Sequence, residues 1–172
     1  MECEFMPHEI ESEFKFNITL GYLISLTERA PDFLKPYEYI LSMIESLDPT
    51  DESLNLYNKI TINWIKACVR VAEKENIFSK QVPWVCMENR PLVRGLYREA
   101  ENHWKNNEFK KAYELFSKIL KTNENDNIGA RYSVKATAEK ITFDDFEKQF
   151  TILHKDGSSY YNSDELFKWF SK

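Results

Sequence analysis

The stretch LVRGLYREAENHWKNNEFKKAYELFSKIL, running from Leu92 to Leu120, decides the fold. In its first half Leu92, Leu96, Ala100 and Trp104 recur at every fourth position with Tyr97 beside them, which sets them along one side of a helix. In its second half Phe109, Ala112, Tyr113, Phe116, Ile119 and Leu120 follow the i, i+3, i+4, i+7 pattern, while Lys110, Lys111, Glu114 and Lys118 fall outside it. The polar break Lys105-Asn106-Asn107-Glu108 separates the two stripes. The spacing predicts a helix hairpin, with the small Ala100 and Ala112 marking where the two helices approach. Each helix presents one bare apolar face, so the hairpin has to stack on further helices, and it points to a binding scaffold rather than an enzyme pocket.

The rest of the chain divides around this hairpin. Residues 1–12 read as a loose arm and 13–75 as N-terminal helices; 76–90 is a connector, 91–153 a run of hairpins, and 154–172 a turn and a last helix. Phe14, Phe16, Ile18, Leu20 and Tyr22 alternate as a strand would, but a lone strand has no evident partner. A helix from about Asn17 to Arg29 with an extended lead-in is the expectation. Pro36 sits well in the first turn of a helix whose stripe is Tyr37, Ile40, Met43, Ile44 and Leu47. After the turn at Asp48-Pro49-Thr50-Asp51, a long helix from Glu52 to Glu75 carries apolar residues around much of its circumference and is expected to be contacted on two sides. Asn76 to Arg90 has no period and is broken by Pro83. Beyond the hairpin, Asn125 to Asn127 caps a helix to about Glu139. Thr142 with Asp145 forms a capping box that opens another through Leu153, Asp156-Gly157-Ser158-Ser159 turns the chain, and Asn162 with Glu165 caps the last helix. The expected fold is all-α, a single domain built as a short solenoid or a compact helical bundle.

Composition agrees. Over 172 residues, 42% hydrophobic and 15% aromatic content is enough for a sizeable core, and 4 Gly with 6 Pro leave little for the turns of an all-β fold. With 23 basic against 28 acidic residues the net charge of −5 disfavours nonspecific binding to nucleic acid or to anionic membranes. Cys3, Cys68 and Cys86 are odd in number and widely spaced, and Met1 to Ser12 lacks a basic leader, so a reduced, cytoplasmic setting is expected. No apolar run reaches the length of about 18 residues that a membrane span needs.

The hairpin resembles the tetratricopeptide repeat, a helix-turn-helix unit with a small residue in each helix and an aromatic late in the second. Ala100 and Ala112 match the two small positions and Phe116 the late aromatic. The sequence departs at Asn107, where a Gly is common, at Glu99, where a Leu is usual, and at Glu124, where a Pro often closes the repeat. A wider resemblance is carried by Val82-Pro83-Trp84-Val85-Cys86-Met87-Glu88-Asn89-Arg90-Pro91-Leu92-Val93-Arg94 together with Asn125-Asp126-Asn127-Ile128-Gly129-Ala130-Arg131-Tyr132. This pairing looks like microbial tetratricopeptide-like proteins with ENRP before the hairpin and NDNxGxRY after it. The resemblance implies a fold and carries no activity with it.

Motifs for chemistry are sparse. His8, His103 and His154 stand apart from one another and from the cysteines, so no metal-ligand spacing arises and no cofactor is expected. His103, beside Trp104, reads as a packing or surface residue, and Asp144 and Asp145 as charges favourable at a helix start. Cys68 lies on a helix stripe as a small core residue. Cys86 reads as packing with Trp84; the alternative is reactivity, for which it is the one thiol with a case because Arg90 and Arg94 are near. Lys110, Lys111, Lys118 and Lys121, interleaved with Glu108 and Glu114, read as a solvated face. Arg90, Arg94 and Arg98 recur at i, i+4, i+8 and repel unless carboxylates such as Glu88 or Glu101, or a partner's acidic group, intervene.

From these residues the expected function is noncatalytic: a scaffold for protein–protein interaction that holds a peptide or partner helix in a groove, anchored by Arg90, Arg94, Tyr97, Arg98 and Trp104. No nucleic acid and no membrane is expected as partner. One alternative is an enzyme or nucleic-acid effector with its site in the 76–90 connector around Trp84, Cys86 and Glu88. Another is a structural subunit of a homo-oligomer joined through Phe167, Trp169 and Phe170.

Overall fold

The structure, a computed structural model, describes residues 8–154 and 158–171, with side chains from Lys15 onward. It is all-α apart from one small strand pair. The expected arm at residues 1–7 and the turn at Asp156-Gly157 lie outside the described residues. The chain divides into two compact units, Met1–Arg70 and Val71–Lys172.

In the first unit α1 spans His8–Arg29, α2 spans Lys35–Glu45, and α3, Asp51–Lys74, begins there and runs into the second. The lead-in expected to be extended is therefore helical from His8 onward. Pro36 stands in the first turn of α2, where its missing N–H costs nothing. Tyr37, Ile40, Leu41 and Ile44 form the buried face of α2, whereas Leu47 lies beyond the helix and is exposed. Along α3, Ile60, Trp64, Ile65 and Cys68 are buried but Leu54 and Ile62 are exposed, so its apolar band is narrower than its composition implies.

The second unit holds the hairpin. Two short 3-10 turns, Ile77–Ser79 and Met87–Asn89, interrupt the connector before α4 (Arg90–Lys105) and α5 (Phe109–Thr122). Ala100, Ala112 and Phe116 are wholly buried, and Trp104 and Ile119 nearly so. Each large side chain in that seam contributes about 1.5–3 kcal/mol of burial. Helix α4 ends in a Schellman turn: Glu108 N–H donates to His103 O and Asn107 N–H to Trp104 O, both at 2.8 Å. Asn107, at φ 59°, takes the left-handed position that the repeat usually gives to Gly. His103 sits in the same turn, its Nδ1 bonded to the Glu108 carboxylate. The connector lies along the end of α5, with Val82 N–H donating to Thr122 O at 2.8 Å.

The sharpest turn follows α5. Gly129, at φ 77°, precedes α6 (Ala130–Ala138), and the buried Asp126 carboxylate accepts from Ala130 N–H at 2.6 Å and from Arg131 N–H at 3.1 Å. Asp126 also accepts from Arg131 Nε at 2.6 Å. The Asn-Asp-Asn-x-Gly-x-Arg segment is thus a helix cap, as its sequence suggested. A second Schellman turn closes α6, with Ile141 N–H donating to Ala136 O at 2.9 Å. Thr142 then caps α7 (Phe143–Phe150), accepting from Asp145 N–H at 3.1 Å.

The helix expected through Leu153 stops at Phe150, and Thr151–Leu153 forms β1, paired antiparallel with β2 (Ser159–Tyr161) in the register Ile152 to Tyr160. Thr151 and Ile152 are β-branched and accept a strand readily once a partner is present. Asn162 caps α8 (Ser163–Phe170), its side chain accepting from Glu165 N–H. No helix of the described residues is long and apolar enough to cross a membrane.

Candidate functional site: an acidic, aromatic cavity beside the hairpin

The inner face of α4 lines a cavity of about 300 Å³ in the second unit. Tyr97, Glu101 and Trp104 project into its wall because i, i+4 and i+7 fall on one helical side. Opposite them stand Gly129, Tyr132 and Ser133 from the α5–α6 turn and α6. Phe146 of α7 and Tyr161 of β2 complete the aromatic lining, and Asn127 and Ser163, both exposed, mark the rim.

Polar pairs hold these walls in place. Tyr97 Oη and Ser133 Oγ share a hydrogen bond of 2.7 Å, linking α4 to α6. Tyr161 donates to one oxygen of Glu147, and Thr151 donates to the other at 2.9 Å. Trp104 is fixed by aromatic contacts with Phe116, Phe143 and Phe146, at centroid distances of 6.0, 5.2 and 5.1 Å. Of the three aromatics expected at an oligomer contact, Trp169 packs on Phe146 and Phe150 and Phe170 on Tyr132 within the unit, while Phe167 and the outer side of Phe170 are exposed.

Glu101 is the exception. Among the described residues nothing donates a hydrogen bond to its carboxylate and no ion pair reaches it. Burial holds its pKa above the usual carboxylate value; the charges of Lys105 and Arg98 pull it back, and Glu147 pushes it further up. Tyr97 is raised by burial, with Glu101, Asp126 and Glu147 adding to the effect. Tyr161 is raised by burial and by its hydrogen bond to Glu147. Glu101 is the one carboxylate in the lining among the described residues.

The structure separates the residues singled out from the sequence. Tyr97 and Trp104 line the cavity. Arg90 and Arg94 lie elsewhere, over the ring of Trp84 at 5.3 and 5.1 Å from its centroid, and Arg90 Nε also donates to Trp84 O at 3.1 Å. Arg98 is exposed and acts on Glu101 only through its charge. Cys86 is exposed, and Glu88 with it; Cys68 is buried and its thiol is pushed up, chiefly by that burial. Glu101, Tyr132, Ser133, Phe146 and Tyr161 were not legible as site residues. Of these only Glu101 had been singled out, as a counter-charge for the arginine row. The described residues contain no group of three or more His, Cys, Asp or Glu able to hold a metal ion.

Compared with known proteins, the chain matches no family model, no curated protein and no solved structure.

Proposed function

We propose that this chain is a noncatalytic interaction module of tetratricopeptide-like build, and that a segment of a partner protein docks over α4 and α6 with one side chain entering the cavity. The observation that carries this reading is the cavity itself. Its volume is at the lower end for ligand pockets and suits one side chain rather than a whole cofactor. The hydroxyl of Ser133 is bonded to Tyr97, and both oxygens of Glu147 are bonded to Tyr161 and Thr151. These polar groups are engaged in holding walls, which favours binding over group transfer. Arg90 and Arg94 then brace the connector through Trp84.

A displayed library of random peptides, selected on the full chain, tests the proposal. Asn127→Trp and Ser163→Trp place a ring at the rim from exposed positions. Selected peptides should lose binding to both variants while far-ultraviolet circular dichroism stays that of the parent. Peptides that bind both variants undiminished would remove the cavity from the interaction.

A further inference from the structure

We infer that the cavity beside α4 takes an organic cation, a primary ammonium or a guanidinium, with Glu101 as its counter-charge and the rings of Tyr97, Tyr132, Phe146 and Tyr161 around it. In its peptide form this rests on the interaction-module reading, where the cation is a lysine or arginine side chain.

Three observations lead there. The first is the state of Glu101. Glu101 is half-buried, and its carboxylate, partly withdrawn from water, has no hydrogen-bond donor among the described residues while tyrosine and phenylalanine rings share its cavity. A neutral apolar guest would bury that carboxylate further without satisfying it. A cation would supply the missing donor and the missing charge together.

The second is the sign of everything nearby. No lysine or arginine lines the cavity among the described residues. The neighbouring cations are held elsewhere: Arg131 on Asp126, Lys135 on Glu139 and over the Trp169 ring, and Lys105 over the Phe143 ring at 4.4 Å. Arg98 and Lys105 reach Glu101 only by attraction through space, and Glu147 adds a second negative charge. An anionic guest, such as a peptide carboxylate, would meet the Glu101 carboxylate in the wall, with Glu147 behind it, and no cation in the lining.

The third is the lining. Ring faces carry negative potential and attract a cation within about 6 Å of the centroid, most strongly where water is excluded. Four rings and one carboxylate line the same open cavity of about 300 Å³, and Tyr161 is exposed on its outer side. The guest's alkyl stem would pass the rim at Asn127 and Ser163, since ammonium and guanidinium heads sit on long apolar stems.

The experiment is a heteronuclear NMR titration of the full chain with four small probes: N-acetyl-lysine methylamide, N-acetyl-arginine methylamide, N-acetyl-norleucine methylamide and N-acetyl-glutamate methylamide. n-Butylammonium is added as a free amine. Shifts confined to Gly129, Tyr132, Ser133 and the Trp104 indole, with the cationic probes about tenfold or more tighter than norleucine, are expected. Glu101→Gln should remove that preference while the spectrum stays dispersed. Equal binding of norleucine, preference for glutamate, an unchanged preference in Glu101→Gln, or no binding by any cationic probe overturns the inference. The peptide selection separates its two parts. Selected peptides without a basic residue overturn the cation and leave the module standing. Binding of the free amine with no peptide selected overturns the module and leaves the cation standing.

Discussion

The indole N–H of Trp104 donates a 2.8 Å hydrogen bond to the carbonyl of Ile141, tying the first helix of the hairpin to the turn between α6 and α7. Trp104 is almost fully buried, so the bond is shielded from water on the indole side. Trp104→Phe should cost about 1–3 kcal/mol and Trp104→Ala about 3–5 kcal/mol, the second adding a cavity to the lost bond. Urea denaturation of the three proteins checks both values. A Phe variant as stable as the parent would mean that the bond to Ile141 contributes nothing.

The Asp126 carboxylate makes three hydrogen bonds at the start of α6, two to backbone N–H groups and one to Arg131. Asp126 also occupies a left-handed backbone position at φ 44°, which Asn tolerates as well. Asp126→Asn keeps that backbone and most of the shape but weakens the cap and removes the charge pairing with Arg131. A loss of about 1–3 kcal/mol is expected. Arg131→Met, at a side chain that is 43% exposed, should cost less than Asp126→Asn. The reverse order in thermal melts would place the stabilisation in the ion pair instead of the cap.

How much of this was visible in the sequence depended on whether the deciding contact was local. The stripes of α4 and α5, the cap at Thr142 and the cap at Asn162 are set by residues within one or two turns, and each formed where its pattern lay. The end of α7 was misread because Thr151-Ile152-Leu153 suits a helix or a strand, and its partner Ser159–Tyr161 comes only after an intervening turn. The cavity was harder still. Tyr97 and Trp104 were evident as aromatics on α4, but Glu101 between them was read as a counter-charge for the arginine row, and its place in the cavity depends on Tyr132, Phe146 and Tyr161, which come from far along the chain. The arginine row was a local periodicity, but the contact that Trp84 of the connector makes with Arg90 and Arg94 could not be read from it.

Glu101 also predicts a pH dependence. Its carboxyl is raised above the ordinary value of 4.5, chiefly by burial. Between that value and the raised one, the folded chain holds a proton that the unfolded chain has released. The contribution of Glu101 to stability is therefore fully present below 4.5 and is lost as pH rises through the folded-state pKa. Glu101→Gln should be more stable than the parent at pH 7, and that advantage should shrink on acidification toward pH about 4. Paired denaturation curves at the two pH values test this. A Gln variant less stable at pH 7 would show that the carboxylate is well satisfied in the empty cavity.

The two described thiols should behave oppositely. Cys86 is exposed in the connector, whereas Cys68 is buried on α3 with its thiol pushed up by that burial. In a Cys3→Ser background, an aromatic disulfide reagent at neutral pH should titrate one thiol in the native chain and the second only on unfolding. A Cys86 that reacts at the rate of an ordinary exposed thiol counts against an enzyme centred on the connector. A much faster reaction would revive that reading.

Lys140 provides a final test, because it is a long side chain in the left-handed region at φ 57°, where the second Schellman turn closes α6. The residue is exposed, so its side chain has little packing to lose. A left-handed backbone costs a non-glycine residue about 1–2 kcal/mol, and glycine recovers most of this while adding freedom to the unfolded chain. Lys140→Gly should therefore stabilise the protein by roughly 0.5–1 kcal/mol. Asn107, in the equivalent position after α4, should gain less on the same change, since Asn already tolerates this conformation. The comparison isolates backbone strain from helix propensity, because both sites lie just past the end of their helices. Equal effects at the two positions, or a loss at Lys140, would show that the lysine side chain contributes there in a way its exposure does not suggest.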